Sequence, residues 1–316
     1  MVITTRNRPE PLQRCLASLA DQSVRNVGII VVDDHSDEPI APAVEAAVAR
    51  HEFDVPPVVL RLDEPSGPAA GRNAGVAASD AEYIIFIDDD LVVDRHLVEV
   101  HLSEVESSED PSSPIVTRGP FVEPPAWDPT PWNLWEAKMA TRGTNAIVRG
   151  DYQPTWRQFH TGNNCLPRHV FEAVGGFDET FLRAEDDEFG ARLHDHGCRF
   201  HFVPSAIAWH YSNRSLESWL EIPRAYAHYT VLIDRMYPHL GYLEQRRAEL
   251  GASNSLLRIA RRLAAGPRRT RIAVAAAVRI AAFAHVVKAT PITMRALSMA
   301  YDLNFVDAFR TAAGDS

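Results

Sequence analysis

The chain has 316 residues, 46% of them hydrophobic and 23% charged, with a net charge of −10, which is ordinary for one large globular domain or such a domain with an appendage. Three scattered cysteines, Cys15, Cys165 and Cys198, exclude a disulfide framework and a cysteine-type zinc site; they suit a reducing compartment and are expected to be buried. The opening "MVITTRNRPE" is polar by Thr4, unlike a signal peptide, and "IAVAAAVRIAAFAHVV" at 272–287 is interrupted by Arg279 and His285, so a cytoplasmic protein without a membrane span is expected.

In chain order, a first strand around Val2 and Ile3 runs into "TTRNR". Leu12, Cys15, Leu16 and Leu19 follow Pro9 and Pro11 at i, i+3, i+4 and i+7, which predicts an amphipathic helix opened by proline. Apolar runs at 27–32, 58–62 and 83–87 predict buried strands. Their alternation with helical patterns predicts an α/β fold with a parallel, doubly wound, Rossmann-like sheet. Ligands of such sheets bind beyond the carboxyl ends of the strands, and "TTRNR", "DDHSDE" and "DDD" all follow strands, so three polar clusters converge on one crevice. Residues 106–135, with "SSEDPSSP" and "EPPAWDPTPW", predict a long loop over that edge. Further strands are predicted at 145–148, 199–203 and 206–209, and from about Ser215 the pattern is helical, broken at Gly266–Pro267. The expected division is a body at 1–214 and a helical extension at 215–316.

The segment "YIIFIDDDLVVD" at 83–94 drives a buried strand into three carboxylates. In an extended backbone Asp88 and Asp90 point one way and Asp89 the other. Such a pair asks for a counter-charge, and its hard oxygens suit Mg²⁺ or Mn²⁺ with coordination positions left for phosphate oxygens. In "GPAAGRNAG" at 67–75, Arg72 lies in a helix start made of small residues, from which it can reach a diphosphate. The glycine spacing is that of neither a dinucleotide fingerprint nor a phosphate-cradling loop followed by Lys-Ser/Thr. In "RAEDDEFGARL", Phe189 and Leu193 anchor a helix at i, i+4, and Asp186 lies near its positive N-terminus, facing the crevice or serving as a simple cap.

Taken in order, "VITTRNRP", "IIVVDDHSDE", "GPAAGRNAG", "FIDDD" and "VGGFDETFLRAEDDEFGARLHDHG" resemble a family 2 glycosyltransferase over residues 1 to about 212. The resemblance implies a GT-A fold, a nucleotide-diphosphate sugar donor with a UDP-sugar favoured, a divalent cation, and inversion in one displacement onto an acceptor hydroxyl. It assigns residues 1–105 to the nucleotide sugar and 106–214 to the acceptor. Thr4, with Asp33 or Asp34, matches positions that hold the base, and Arg6 of the same segment is grouped with them. Arg72 matches a residue near the base and diphosphate. Asp88 matches the contact to ribose or donor sugar, with Asp89 grouped beside it. Asp90 matches the metal ligand, and His210 in "AWHYSN" resembles a histidine added to the metal shell. Gly162 and Asn163 in "HTGNNCLPR" match a stretch near donor sugar and acceptor. Asp186 matches the general base, with Glu185 its motif partner.

A retaining transferase is the alternative from the same fold. A sugar nucleotidyltransferase would want a Gly-rich loop after the first strand, and "TTRNRPEP" has no glycine. A non-catalytic sensor would have lost a motif carboxylate, and each is present. The acceptor, whether saccharide, lipid-linked or small molecule, is left open. Trp127, Trp132, Trp135 and Trp156 are candidates to stack on it or to pack. Between Arg246 and Arg295 stand eleven Lys/Arg and one acid, Glu249. These basic helices are expected to meet an anionic lipid surface at the inner face of the membrane, the acidic body, or a second copy in a homodimer. Nucleic acid is disfavoured by the sparse aromatics.

Overall fold

A computed structural model describes residues 1–110, 112–252 and 255–314, the side chains of residues 255 and 256 excepted. In chain order the elements are β1 (Val2–Thr5), α1 (Pro9–Ala20), β2 (Ile30–Asp33), α2 (Ala41–Arg50), β3 (Val58–Arg61), α3 (Gly67–Ala77), β4 (Tyr83–Ile87) and β5 (Leu91–Val93). There follow α4 (Leu97–Glu106), β6 (Ile115–Arg118), β7 (Phe121–Val122), α5 (Pro131–Val148), β8 (Asn163–Pro167), α6 (Arg168–Ala173), α7 (Glu185–Asp195), β9 (Arg199–Phe202) and β10 (Ala208–His210). The chain closes with α8 (Leu216–Met236), α9 (Tyr242–Gly251), α10 (Ser255–Leu263), α11 (Pro267–Val286) and α12 (Thr290–Ala313). Two compact units divide it: residues 1–127 with 137–211, and residues 128–136 with 212–316.

The first unit is built on a seven-stranded mixed sheet in the order β3-β2-β1-β4-β8-β6-β9. Strands β1 to β4 are parallel, and β8 runs antiparallel to both β4 and β6. Both faces are covered along β2 and β4, which is why these two strands read as unbroken apolar runs. Ile3, Ile85 and Ile87 share one core with Leu12, Cys15 and Leu16 of α1 and Leu97 of α4. Val2, Ile84 and Phe86 share the opposite core with Ala69 and Val76 of α3, Phe171 of α6 and Phe189 and Leu193 of α7. Helix α3 presses so close to β1 that a Cβ on Gly75 would lie 2.4 Å from Val2 Cγ1 and one on Gly71 2.7 Å from Thr4 Cγ2. The small residues of "GPAAGRNAG" are thus required by packing.

A three-stranded sheet, β5-β10-β7, lies beside the end of β4. Its antiparallel register sets His210 opposite Leu91, one residue beyond Asp90. Two expectations are corrected here. Residues 106–135 are not one long loop, since β6, β7 and the start of α5 fall within them. Residues 145–148 are the last turn of α5 instead of a strand. A short apolar run carries no period of its own, and here it belongs to an 18-residue helix opened by Pro131. All three cysteines are free and buried.

In the second unit Trp135 stacks on Tyr301 with centroids 4.9 Å apart and meets Trp219 edge-on at 5.4 Å. Ala227 and Val231 of α8 form a core with Phe305 and Phe309 of α12. The indole N–H of Trp135 donates to Ser298 Oγ at 2.8 Å, and that of Trp132 to the Arg214 carbonyl at 2.7 Å. Trp156, in the first unit, is buried. Trp135 and Trp156 are therefore packing residues, whereas Trp127 and Trp132 are partly exposed. The break at Gly266–Pro267 separates α10 from α11. No described helix is long and apolar enough to cross a membrane.

Candidate active site

Three like charges at the end of β4 need cations, and the structure shows where they come from. Arg8, just past β1, donates from Nη1 to Asp89 Oδ1 and from Nη2 to Asp90 Oδ2, both at 2.7 Å. Asp89 also accepts from Thr5 Oγ1 at 2.6 Å; since Asp89 and Asp90 lie in the turn after β4 and share Arg8, the expected split of an extended backbone, Asp88 and Asp90 one way and Asp89 the other, does not hold. Burial pushes the Asp89 carboxyl up to about 7 against the opposing pull of Arg8. Burial would raise Asp90 as well, but His210 and Arg8 beside it hold it far below the usual carboxylate range.

His210 Nε2 lies 3.3 Å from Asp90 Oδ1. Two ligands held cis at about 2.1 Å from an octahedral cation are about 3.0 Å apart, so this pair fits one Mg²⁺ or Mn²⁺. Among the described residues no three His, Cys, Asp or Glu side chains converge on one point.

Asp88 is held from two sides. Arg72 Nη2 stands 3.5 Å from its Oδ1, and Gly162, at φ +112°, lies so close that a Cβ there would be 2.3 Å from Asp88 Oδ2. The other arm of Arg72 donates to Glu185 Oε1 at 2.6 Å. One buried guanidinium thus joins the end of β4 to the start of α7, carboxylates 97 positions apart in the chain. Burial raises Glu185, with Arg72 opposing.

Helix α7 opens with Glu185, Asp186, Asp187 and Glu188, where the helix dipole favours negative charge. Its entry residue, Ala184, sits at φ +56° and ψ +24°, a left-handed conformation costly for a residue with a Cβ. Arg192 fixes the helix by pairing with Glu188 at 2.6 Å and donating to the carbonyls of Val174 and Gly176. Asp186 Oδ1 accepts from the Asp187 backbone N–H at 3.0 Å, and Oδ2 stands 3.5 Å from His160 Nδ1. Burial raises Asp186, but His160 and Arg72 outweigh it, leaving the carboxyl below its ordinary value.

The remaining predicted residues are placed less directly. Asp33 accepts from the backbone N–H groups of Ser36 and Ile40 and pairs with Arg61 at 2.5 Å, so it braces its own loop. Asp34 accepts from the N–H groups of Ser66 and Gly67, fixing the entry to α3. Thr4 is half-buried against Gly71, and Arg6 is exposed. Asn163 is fully buried, and its amide donates to the carbonyls of Pro120 and Ala206.

Three residues not singled out from the sequence belong to this site. Arg8 and His160 supply the counter-groups just described. His101 is buried between Thr117 Oγ1 at 2.8 Å and Asn163 Oδ1 at 2.9 Å. Because the Asn163 amide nitrogen already donates twice, its oxygen must accept, so His101 carries its proton on Nε2.

A mixed α/β sheet whose strand ends gather a DxD pair, a histidine and a second acidic motif at a helix start defines the GT-A architecture. The chain belongs to the glycosyl transferase family 2: the model "Glycosyl transferase family 2" matches residues 1–161, and "Glycosyl transferase family group 2" matches residues 83–301. It is 27% identical over 238 residues to the pre-mycofactocin glycosyltransferase of Mycobacterium tuberculosis, covering 70% of this chain and 44% of that protein. It is 27% identical over 255 residues to the validoxylamine A glucosyltransferase of Streptomyces hygroscopicus, covering 72% of this chain and 56% of that one. The chain thus spans about half the length of these curated relatives. In fold it is similar to a mannosyltransferase of Pyrobaculum calidifontis solved with GDP-Man and Mn²⁺, at TM-score 0.60 and 16% identity over 100% of this chain and 86% of that one. It is also similar to S. aureus TarS 1-349 in complex with UDP, at TM-score 0.50 and 15% identity, covering 99% and 91%.

Proposed function

We propose that this chain is an inverting, metal-dependent glycosyltransferase that moves a sugar from a nucleotide-diphosphate sugar, a UDP-sugar by preference, to an acceptor hydroxyl. The observation that carries the reading is the Arg72 bridge, which brings Asp88 and Glu185, and with them Asp90 and Asp186, to one sheet edge. The nucleotide lies along the ends of β1 and β2, near Thr4, Asp33 and Asp34. Its diphosphate reaches the Asp88–Asp90 pair. Asp90 and His210 would hold the cation, which, when bound, neutralises the diphosphate and the charge developing on the leaving nucleotide. Asp186, kept ionised beside His160, takes the proton of the acceptor hydroxyl as that oxygen bonds to the anomeric carbon. The carbon–oxygen bond to the diphosphate breaks in the same displacement, so configuration inverts.

The first test is thermal stabilisation by a panel of nucleotide sugars with Mn²⁺; no stabilisation by any member would sink the reading. With the donor in hand, Asp186→Asn is expected to lower turnover by about 10² to 10⁴ while leaving nucleotide affinity unchanged. Asp90→Ala is expected to lose the Mn²⁺-dependent part of that affinity. A product with retained anomeric configuration by NMR would replace inversion with the retaining alternative.

The second unit supplies a partner surface. Helix α11 buries Thr270, Val274, Ala277, Ala281 and Ala284 along one side. Its opposite side exposes Ile272, Ile280, Phe283 and Val286, the last two by 71% and 78%. Between Gly251 and Tyr301 stand nine Lys/Arg and no acid. An apolar stripe rimmed only by cations complements an anionic bilayer, whereas a two-fold pairing would set like charges face to face. Vesicles containing phosphatidylglycerol are expected to float the protein and neutral vesicles not to. A concentration-dependent dimer, with no flotation, would reassign the face.

A further inference from the structure

Sheet order lays the site out as a line. The ends of β2 and β1 carry the base-binding candidates, the end of β4 the Asp88–Asp90 pair, and beyond β4 come β8, β6 and β9. Phe86, Asn164, Arg118 and Phe202 are register partners across β4, β8, β6 and β9, so their side chains share one face. Phe86 packs on that face against Phe171 and Phe177, in the core that α7 covers. Arg118 is the last residue of β6, which runs antiparallel to β8 and therefore ends at the edge where β8 begins, beside Gly162 and Asn163. Two strand spacings put it about 10 Å to the side of β4, away from the nucleotide.

Among the described residues no carboxylate pairs with Arg118, and its buried Nε lacks a hydrogen-bond partner. Its register neighbour Asn164 likewise holds a buried Oδ1 without one. The guanidinium lies over the Phe202 ring at 5.7 Å from the centroid, and Asp186 and Tyr152 are the groups whose charges act on it from farther off. Burial pulls it down to about 10, because nothing close offsets the loss of water around the charge. Every other arginine at this edge described above is spent on a carboxylate: Arg8 on Asp89 and Asp90, Arg72 on Asp88 and Glu185.

We infer that Arg118 is a specificity residue that binds an anionic group, a phosphate or a carboxylate, carried by the acceptor. The inference rests on the transferase reading and names the acceptor class for that same site. A planar guanidinium backed by an aromatic ring suits bidentate pairing with either anion. Its place on the Asp186 side of the line, two strands from the DxD pair, puts the anion on the molecule that attacks.

The test uses the full chain saturated with UDP or GDP and Mg²⁺, at constant ionic strength. Glucose 6-phosphate, glucuronate and neutral glucose are titrated by thermal shift. Wild type is expected to bind the two anionic sugars at least tenfold more tightly than glucose, and Arg118→Met to lose that preference with nucleotide affinity unchanged. Arg118→Lys is expected to keep part of it. Without any sugar, Arg118→Met should melt no lower than wild type, since it removes a partly buried charge that no described carboxylate pairs with. A drop in melting temperature together with an intact preference would make Arg118 a packing residue and overturn the inference. An absent preference in wild type would do the same. Tighter, Arg118-dependent binding of UDP-glucuronate than of UDP-glucose would move the anion to the transferred sugar and overturn the acceptor assignment. If neither nucleotide stabilises the protein, the transferase reading fails and takes this inference with it; if they do, the two stand or fall separately.

Discussion

Lowering the pH should destabilise this protein through one buried histidine behind the site. His101 is fully buried on α4, and burial pulls its imidazole from 6.5 down to about 4, with the Asn163 hydrogen bond opposing. The unfolded chain therefore takes up a proton near 6.5 that the folded chain refuses until about 4. Stability is full above 6.5, falls as pH drops through that window, and levels off below about 4. At about 1.36 kcal/mol per pH unit, the interval corresponds to about 3 kcal/mol in all, of which about 2 kcal/mol is gone by pH 5. Against a whole stability of about 5–15 kcal/mol that is a measurable share.

The perturbation is His101→Gln, whose amide N–H can still reach Asn163 Oδ1 but cannot take a proton in this range. Thr117 Oγ1, released from the imidazole, still has the Cys165 carbonyl at 3.2 Å. Urea unfolding at pH 7.5 and pH 5.0 gives the pH-dependent loss for each protein. The variant should start about 1 kcal/mol less stable, having one hydrogen bond fewer. It should then lose about 2 kcal/mol less than wild type on acidification. Equal losses in the two proteins would show that His101 is not the group taking up the proton, and the tautomer argument would go with it.

Gly162→Ala should keep the fold, seen as unchanged far-UV circular dichroism, yet lose transfer at least tenfold. The new Cβ would stand 2.3 Å from Asp88 Oδ2 in a backbone at φ +112°, so the carboxylate must leave its place. A fully active variant would show that the position of Asp88 does not matter. Ala184→Gly should raise stability by about 1 kcal/mol by relieving a left-handed alanine. If it also lowers turnover, the rigid entry to α7 is what aims Asp186; a destabilised Ala184→Gly would contradict the strain argument.

Strands β2 and β4 were legible because they are buried on both faces and read as apolar runs, whereas Asp89 and Asp90 lie in the turn after β4 and share the Arg8 guanidinium, so strand parity does not sort the three acids. The start of α7 at Glu185 was legible from the Phe189–Leu193 anchor behind it, while the role of its acids came only from the family resemblance. What escaped is non-local. Arg8 meets Asp90 across 82 positions and His101 meets Asn163 across 62, and no local period marks either pair. Strand β6 escaped because "IVTR" is four residues long behind a proline-rich segment. Arg118 escaped for a related reason: only the fold shows that no described carboxylate pairs with it.

Charge balance at the sheet edge predicts how metal and nucleotide depend on each other. Five carboxylates, Asp88, Asp89, Asp90, Glu185 and Asp186, meet two guanidinium groups, Arg8 and Arg72, in direct ion pairs or through a shared neighbour. Counting carboxylates and guanidinium groups alone, the cluster keeps a net negative charge even with Asp89 pushed up to about 7. A diphosphate arriving alone meets like charge, and a divalent cation arriving alone leaves its outer positions to water. Each therefore improves the site for the other, and linkage makes the two gains equal. Typical coupling of 1–3 kcal/mol corresponds to about 5- to 150-fold. Calorimetric titration of the stabilising nucleoside diphosphate should show an affinity loss of that size when Mn²⁺ is replaced by EDTA. Mn²⁺ should bind more tightly by the same factor once the nucleotide is present, and His210→Ala should shrink both effects together. Equal nucleotide affinity with and without the cation would mean that Arg8 and Arg72 already neutralise this edge.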